Sequence, residues 1–350
     1  MKIYKNVFEK IISLENLFLA WDKFKSDKQK KKDVQKFEYR LEENIFQLHK
    51  DLKHRKYKHG SYSSFYIQDP KQRHIHKALV RDRILHHAIF VVLNPIFEPT
   101  FISNSFSCRV GKGTHKGLEL LDKITKQVSG NNFKPCFVLK CDIKKFFETV
   151  DHNNLLNILC KRIKDKDVMC LLEEIIRSFK SEYSMTLHPK GLPIGNLTSQ
   201  LFANIYLNEF DQFVKHSLKI KHYIRYTDDF VIASENKLFL EKLIKPIADF
   251  LGKKLLLKLH PKKVEIRKFI QGIDFLGYVI MPHHRSLRTK TKQRIFKKLN
   301  KRTVEYKNGI ISKQTLKQSL RSYLGVLSHA DTYRLGKELK NHFWFWLNGV

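Results

Sequence analysis

The chain is 350 residues long and strongly basic, with 67 lysines and arginines, 34 aspartates and glutamates, and a formal net charge of +33. Its 42% of hydrophobic residues excludes a disordered chain. Since single hydrophobic cores stop growing at roughly 250–300 residues, the length predicts two or three lobes. The charge disfavours an enzyme that acts only on neutral metabolites and indicates a polyanionic partner, bound through phosphate contacts.

The cysteines and the apolar runs predict a reducing compartment and no membrane span. The cysteines are odd in number and form no Cys-x-x-Cys pair, which disfavours a disulfide framework and a cysteine zinc ribbon. Residues 1–10 lack the apolar core of a signal peptide, and the run 88–93 is far shorter than the roughly 18 residues of a membrane span. The positive charge is not confined to one amphipathic helix, so a membrane-surface protein is also disfavoured. We expect a cytoplasmic protein.

The first part of the sequence predicts helices around one short strand. Leu41, Ile45, Leu48 and Leu52 recur at helical spacing. The expected elements are helices over 1–60, a strand at 65–67, a turn at Asp69-Pro70 and a buried helix over 83–97 that ends at Pro95 or Pro99.

The middle of the sequence predicts a buried strand, a glycine-rich loop and a hairpin. The run 137–142 is apolar and ends on an acid, Asp142, and two later apolar runs flank Thr227-Asp228-Asp229, which is typical of a tight hairpin. The expected elements are a strand at 137–142, helices over 143–180, a loop at 191–200, a helix at 201–213 and strands at 222–226 and 230–233.

The last part of the sequence predicts a helix at 238–252, a strand at 255–259, a turn at 260–261 and a strand pair within 263–280. Residues 285–350 are helical in pattern and hold 16 basic and 3 acidic residues. The densest positive charge of the chain therefore lies at this end.

Three aspartates lie at positions where the burial of an ionised carboxylate costs free energy. Asp142 ends a buried strand, and Asp228 and Asp229 lie in a tight turn between apolar strands, so each loses hydration unless a cation compensates. Carboxylates suit Mg²⁺, and two such ions serve nucleotidyl transfer, one at the attacking hydroxyl and one at the leaving group. Each acid alone has a simpler explanation, because aspartate favours turns and can cap a helix. The order of the three acids along the chain and their flanking residues together favour the metal-binding explanation.

With these flanking residues the chain resembles the reverse transcriptases. Tyr-Thr-Asp-Asp at 226–229 is similar to their aromatic-x-Asp-Asp motif, and Cys-Asp-Ile-Lys-Lys-Phe-Phe at 141–147 is similar to their first catalytic motif. Further similar segments, in the family's order, are the fingers motifs at 69–75 and 81–83, the block at 109–115, the loop at 191–200 and the primer-grip hairpin at 275–278. The resemblance runs from about residue 60 to residue 285.

The ending of the 191–200 loop distinguishes subgroups of that family. Ser199-Gln200 resembles the bacterial enzymes of diversity-generating retroelements and their unclassified and defence-associated relatives. Group II intron enzymes usually carry Ser-Pro there and extend past the thumb into a DNA-binding and endonuclease region. Retron enzymes usually carry an Asn-Ala-x-x-His block and a Val-Thr-Gly block, and neither occurs in this sequence.

The resemblance implies a role for each matching catalytic residue. Asp142 and Asp228 would hold two Mg²⁺ ions, for which Mn²⁺ can substitute, with support from Asp229 and the backbone carbonyl of Ile143. Lys263 would protonate the leaving pyrophosphate, although its neighbour Lys262 leaves the register open.

The resemblance also implies nucleotide and template contacts. Lys71 and Arg73 would grip the triphosphate, as the planar fork of arginine suits phosphate. Phe147 would exclude a ribose 2′-hydroxyl, unless it is simply a core residue like Phe146. The remaining positions are Gly195 against the nascent base pair, Gln200 at the nucleotide or template, Arg109 and Lys112 on the template backbone, and Gly277 in the primer grip. Without the support of the motifs, the lysines and arginines named in this paragraph would be interpreted as ordinary surface charges.

We therefore predict an α+β right-hand polymerase with fingers in 1–135, a palm with a small antiparallel sheet in 136–284 and a basic helical thumb in 285–350. By resemblance it is an RNA-directed DNA polymerase of a diversity-generating retroelement. Its partners would be an RNA template, a DNA or RNA primer and dNTPs, with a noncoding RNA and a small helical accessory protein as further candidates. The alternatives are a defence-associated reverse transcriptase that copies a dedicated noncoding RNA, and a catalytically silent RNA-binding scaffold, which the three intact acids disfavour.

Overall fold

The computed structural model describes residues 2–68, 71–185 and 188–348. The turn expected at Asp69-Pro70 therefore lies outside the described residues. Within the described ranges the helices and strands alternate in a mixed α and β architecture, as the sequence predicts.

Four short helices open the chain and pack on a long fifth. The prediction of helices over residues 1–60 is confirmed. The apolar side chains of Ile45, Leu48 and Leu52 are buried on one helix face, and the buried Asn16 amide donates to the carbonyl of Ala88 at 3.2 Å. The five helices are α1 (Phe8–Ile12), α2 (Leu14–Lys25), α3 (Lys32–Glu38), α4 (Leu41–Lys53) and α5 (Val80–Phe97).

The end of helix α5 fits the second of the two expected prolines, Pro99, and not Pro95. Pro95 lies inside it and does not end it; the helix ends at Phe97, and Pro99 belongs to the 3-10 turn that follows.

A two-stranded hairpin projects between α4 and α5. Strands β1 (Ser63–Ile67) and β2 (Arg73–Lys77) pair antiparallel, and their side chains are mostly exposed. The amide of His76 donates to the carbonyl of Ile194 at 3.0 Å, so this hairpin is joined to the glycine-rich loop that the sequence singled out.

The central sheet has four antiparallel strands in the order β4-β5-β3-β6. Alternation divides its faces: Leu139 and Ile232 enter the large core shared with the N-terminal helices, whereas Val138 and Val231 enter a second core. The strands are β3 (Phe137–Asp142), β4 (Tyr223–Tyr226), β5 (Asp229–Ser234) and β6 (Glu265–Lys268).

Six helices accompany this sheet. They are α6 (Thr114–Val128), α7 (Phe146–Thr149), α8 (His152–Cys160), α9 (Lys166–Arg177), α10 (Leu197–Gln212) and α11 (Lys237–Leu255). Helix α10 begins four residues before the expected position, so Gln200 lies in its first turn rather than in a loop.

The strand expected at 255–259 is wrong. Helix α11 continues to Leu255, and Leu256 ends it in the left-handed region at φ 53°. Of the expected strand, only Leu259 makes an isolated bridge, to Ile143. A short apolar run does not distinguish a helix end from a strand by periodicity.

The C-terminal part joins a small sheet to a helical bundle. Strands β7 (Ile273–Phe275), β8 (Tyr278–Ile280) and β9 (Arg285–Leu287) form an antiparallel meander. Helices α12 (Thr289–Lys307), α13 (Lys313–Leu327) and α14 (Tyr333–Asn348) enclose a separate core that includes Leu299 and Phe343.

The large core crosses residue 135, because it contains side chains from α1 to α5 and from the central sheet. The division at residues 135 and 284 stays a prediction. Among residues 2–68, 71–185 and 188–348, no helix is both long and apolar enough to cross a membrane.

Candidate active site

The structure brings the three acids together at one end of the central sheet. Asp142 is the last residue of β3 and Asp229 the first of β5, and the antiparallel register places them opposite each other. Directly opposed residues of antiparallel strands point to the same face, with Cβ atoms about 4.5–5.5 Å apart. Asp228 lies in the turn immediately before Asp229.

The turn that carries Asp228 is held by its backbone and by a threonine. Thr227 adopts a φ of 53°, in the left-handed region, and its hydroxyl donates to Ser107 Oγ at 2.5 Å. The carbonyl of Asp228 accepts from the amide of Ile143 at 3.3 Å. The turn is therefore fixed to β3 on one side and to the 104–107 segment on the other.

A buried ion pair also holds this turn in position. Arg225 donates to both carboxylate oxygens of Asp211, at 2.7 and 2.6 Å, and both side chains are fully buried. The guanidinium also donates to the carbonyl of Thr227 at 3.1 Å and to Ser105 Oγ at 3.1 Å, and Tyr223 donates to Asp211 at 2.7 Å. This pair lies outside the sequence motifs named above, and its signal in the sequence is an arginine inside an apolar strand.

The electrostatics of the acids indicate a need for positive charge. Burial and then the nearby Asp142 carboxylate raise the pKa of Asp228, an effect that Lys263 and Arg73 partly offset. Burial, Asp228 and Asp142 raise the pKa of Asp229 to about 6. Carboxylates that are buried together resist ionisation unless a cation neutralises them.

The donor atoms fit a hard divalent cation, which prefers carboxylate and carbonyl oxygens. In the described part of the chain, no three His, Cys, Asp or Glu side chains converge far enough to hold a metal ion by themselves. Lys263 Nζ lies 2.7 Å from Asp142 Oδ2 and donates to that oxygen. The lysine thus supplies positive charge to one of the three acids.

The structure distinguishes the two lysines whose register was open. Lys263 is half-buried at Asp142, whereas the Lys262 side chain is exposed. Its amide donates to His260 Nδ1, which belongs to the turn between α11 and β6.

The predicted fingers residues are both exposed; Lys71 precedes β2, and Arg73 is its first residue. Arg73 is near enough to Asp228 to help lower the pKa of that carboxyl. The positive charge of Arg73 therefore acts on the acids.

Phe147 and Gly195, the predicted nucleotide contacts, lie at the beginning of α7 and against β2. Phe146 is buried in the core, while the neighbouring Phe147 is half-buried, with its ring edge-on to Phe146 at 5.3 Å. Gly195 has a φ of +117°, and a Cβ added there would meet Ile75 Cγ2 at 2.9 Å. Glycine is thus required for the contact with β2 as well as for the backbone angle. The Gln200 side chain is exposed.

Arg109 and Lys112 are engaged within their own loop. Arg109, with a side chain 6% exposed, donates to Glu98 at 2.8 Å and to the carbonyls of Ile102 and Ser105 at 2.7 and 2.8 Å. Lys112 donates to the carbonyl of Ser103 at 2.9 Å. These contacts fit anchors of the loop rather than the expected contacts with template backbone.

Gly277 lies in the two-residue turn of the β7–β8 hairpin, at φ +91°. Its carbonyl accepts from the amide of Arg288 at 3.1 Å, which ties this hairpin to the beginning of α12.

A family model matches the part of the chain that contains the three acids. The model of the reverse transcriptase family, described as RNA-dependent DNA polymerase, matches residues 58–280. The chain belongs to the reverse transcriptase family. This family is generally dependent on divalent metal ions. The predicted right-hand polymerase fold is confirmed by the family and by the mixed architecture with small antiparallel sheets.

Similar curated proteins include intron-encoded ones. Protein YkfC of Escherichia coli is 26% identical over 246 residues, covering 61% of this reverse transcriptase chain and 62% of that protein. Group II intron-encoded protein LtrA of Lactococcus lactis is 29% identical over 141 residues, covering 40% of this chain and 22% of that protein. The chain thus spans less than two thirds of the length of either relative.

A solved structure of apo telomerase from Candida tropicalis is similar at a TM-score of 0.48 and 13% identity, over 65% of this chain and 55% of that chain. Similarity at this level is limited to a general resemblance of shape.

Proposed function

We propose that the chain is an RNA-directed DNA polymerase that adds dNTPs to a primer 3′ end. The observation that carries the proposal is the convergence of Asp142, Asp228 and Asp229 at the end of the sheet, beside Lys263. Family membership supports the same reaction. In that reaction the primer 3′ oxygen bonds to the α-phosphorus, and the bond to pyrophosphate breaks.

Asp142 and Asp228, with Asp229 and the Ile143 carbonyl in support, would hold two Mg²⁺ ions. When bound, such ions lower the pKa of the attacking hydroxyl and stabilise charge on the leaving group. The chain's own part is to hold the carboxylates in place, through the β3–β5 register and the anchored turn at Thr227.

Lys263 would serve the leaving group. Its ammonium is already at the acids, 2.7 Å from Asp142, and carries a proton that pyrophosphate can accept as the bond to the α-phosphorus breaks. Lys71 and Arg73 on the exposed hairpin would bind the triphosphate, and the half-buried Phe147 would disfavour a ribose.

The duplex would lie along the palm and the basic thumb. Residues 285–350, with 16 basic and 3 acidic residues, supply positive charge for phosphates, and the β7–β8 hairpin with Gly277 would position the primer. Arg109 is not among these proposed duplex contacts, because its guanidinium is buried in its own loop.

For the biological role we propose a bacterial retroelement of the diversity-generating kind, on the Ser199-Gln200 ending of the loop. A template repeat beside a variable-protein gene next to the coding region would support it. A dedicated noncoding RNA gene in that place would favour the defence-associated alternative instead.

Primer extension on an RNA template with Mg²⁺ tests the activity. The Asp228→Ala variant should lose at least about a hundredfold in rate, because several kcal/mol of transition-state stabilisation depends on the metal site. Asp249→Ala, which removes an exposed acid of α11, is the matched control and should retain activity. Inactivity of the wild type across metals and templates would contradict the polymerase proposal, and full activity of Asp228→Ala would contradict the metal assignment.

A further inference from the structure

A large cavity lies at the end of the central sheet opposite to the three acids. Its volume is about 590 Å³, and Phe137, the first residue of β3, lines it, whereas Asp142 is the last residue of that strand. At about 3.3 Å per residue the two ends of β3 are roughly 17 Å apart, so the cavity is separate from the candidate active site. We call it the rear cavity and define it by Phe133, Phe137, Lys268, Ile270 and Met281, which line it.

Two large apolar side chains at the rear cavity are exposed to water. Phe133 is 92% exposed, and Ile270, in the 3-10 turn Phe269–Gln271, is 76% exposed. The apolar surface continues into the cavity, because the half-buried Met281 and Pro282 also line it. Single exposed apolar residues are common on proteins, but exposed apolar residues that adjoin an apolar cavity mark an interaction surface.

The turn that presents Phe133 has an unfavourable backbone conformation. The three residues before it, Gly130, Asn131 and Asn132, have φ of 53°, 56° and 76°, all in the left-handed region. Glycine and asparagine tolerate this region better than other residues do, which explains their presence here. Three such residues in succession still cost free energy, so other contacts have to fix the turn.

Hydrogen bonds within and beyond the turn fix it. The amide of Asn132 donates to Ser129 Oγ at 3.0 Å, and the amide of Lys134 donates to the carbonyl of Ser129 at 2.7 Å. The side-chain amide of Asn132 donates to the carbonyl of Pro282 at 3.2 Å, which joins the turn to the connection between β8 and β9. The backbone that carries Phe133 is therefore pre-organised, and a partner that covers this side chain would lose little affinity to the ordering of the turn.

The charged residues at the rear cavity are basic. Lys134 and Lys268 line it and are exposed, and the exposed His283 and His284 line it as well. Among the described residues that line the cavity, none is an aspartate or a glutamate. A partner that presents carboxylates would therefore be attracted to this surface. A second copy of the chain would instead bring like charges together, since a twofold interface pairs one patch with itself.

The walls of the rear cavity favour a protein over a nucleic acid. Phe269 is buried and Phe137 half-buried, so neither ring offers a free face for a base to stack on. Ile270, Met281 and Pro282 instead give an aliphatic lining, into which a bulky apolar side chain fits.

We infer that the rear cavity docks an acidic segment of another protein. A bulky apolar side chain of that segment enters the cavity against Phe133 and Ile270, and carboxylates on either side of it pair with Lys134 and Lys268. The docking requires no template, nucleotide or metal ion, so it is independent of the proposed polymerase function.

A library of random twelve-residue peptides displayed on phage supplies the probe. The library is selected on the wild-type chain after depletion on the Phe133→Ala variant, which removes peptides that bind elsewhere. We expect the recovered peptides to combine a bulky apolar residue with aspartates or glutamates. Failure to recover a peptide that distinguishes the two proteins, or recovery of peptides without acidic residues, would overturn the inference.

A matched pair of isoleucine variants, neither of which is used in the selection, locates the binding site. Fluorescence anisotropy of the tightest-binding peptide gives the affinities. Ile270→Ala should weaken binding at least about fivefold, because it removes apolar surface that the peptide buries. Ile310→Ala removes a similarly exposed isoleucine, 70% exposed between α12 and α13, and should bind like the wild type. An equal loss for both variants would refute the placement.

A charge reversal tests the pairing with carboxylates. The double variant Lys134→Glu, Lys268→Glu should weaken binding of the acidic peptide at least about tenfold, and it should bind a peptide with lysine at each acidic position more tightly than the wild type does. The control Lys242→Glu, Lys245→Glu makes the same change of charge on exposed residues of α11 and should resemble the wild type. Equal losses for the two double variants would show a general effect of net charge and contradict the inference.

The remaining outcomes identify other occupants. If the wild type sediments as a dimer that Ile270→Ala dissociates, the occupant is a second copy and the inference is wrong. If a twelve-nucleotide single-stranded RNA displaces the peptide, and Ile270→Ala but not Ile310→Ala weakens the binding of that RNA, the occupant is a nucleic acid and the inference is also wrong. Asp228→Ala should bind the peptide like the wild type whether or not the polymerase proposal holds, and a loss of binding in that variant would contradict the separation of the two sites.

Discussion

Arg225 and Asp211 show how a single buried pair can determine the position of the turn that carries Asp228. Both side chains are fully buried, so each charge depends on the other for compensation. Through its bond to the carbonyl of Thr227, the guanidinium transmits that constraint to the residue before Asp228. The exposed Lys237–Glu241 pair, at 3.2 Å on α11, has water as an alternative partner for both charges.

Replacing one member of the buried pair should therefore be costly. We expect Arg225→Met to lower the free energy of unfolding by about 3–5 kcal/mol, because Asp211 is left charged and buried without its partner. The double variant Arg225→Met, Asp211→Leu should recover most of that stability. Lys237→Met, the surface control, should cost less than about 1 kcal/mol. Urea unfolding followed by circular dichroism measures all three, and a cost for Arg225→Met no larger than that of the control would contradict this account.

At the scale of elements, the connection that leads into α10 depends on a glycine that no other residue can replace without strain. Gly191 has a φ of +116°, its amide donates to the carbonyl of Val150 at 2.9 Å, and its carbonyl accepts from His152 Nε2 at 2.7 Å. A Cβ added there would lie 2.8 Å from Ser181 Cβ and 3.0 Å from the Ser181 backbone nitrogen. The crowding involves backbone, which cannot rotate away.

The same substitution at two glycines should consequently have opposite effects. Gly191→Ala should destabilise the protein by at least about 2 kcal/mol, through the unfavourable φ and the close approach to Ser181. Gly252→Ala, inside α11 with nothing within 4 Å of the added Cβ, should stabilise it by about 0.5–1 kcal/mol, because alanine loses less backbone entropy in a helix. Thermal unfolding of both variants is the measurement, and equal shifts of the midpoint in the same direction would argue against the explanation.

Local patterns predicted the elements that bear the catalytic motifs. The strand expected at 137–142 and the acidic turn at 227–229 are present because alternation and turn chemistry are local properties. Local patterns did not reveal α6, the end of α11 or the strand β9. The Arg225–Asp211 pair and the meeting of Phe133 with Met281 around one cavity depend on tertiary packing, which brings together residues far apart in sequence.

Across the whole molecule, the hydrophobic cores and the basic residues are unevenly distributed. The large core joins the N-terminal helices to the central sheet, whereas the C-terminal helices enclose a small core of their own and carry a dense excess of basic residues. On α13 the buried Leu316 faces that core, while Lys313, Lys317 and Arg321 recur every four residues on the exposed surface. Residues four apart share a helix face, so this row forms a positive stripe.

If that stripe binds the phosphates of a template–primer duplex, its removal should change the salt dependence of binding. The wild-type affinity should fall steeply with salt, with a logarithmic slope of about −0.9 for each phosphate that a cation neutralises. The double variant Lys317→Gln, Arg321→Gln should reduce the magnitude of the slope by about 2, because each substitution removes one phosphate-binding cation. Lys242→Gln, Lys245→Gln is the control, because these exposed lysines lie on α11, which packs against the face of the sheet opposite to Asp142 and Asp229. Fluorescence anisotropy over a series of salt concentrations gives the slopes. Equal slopes for the two double variants would show that the thumb stripe does not bind phosphates.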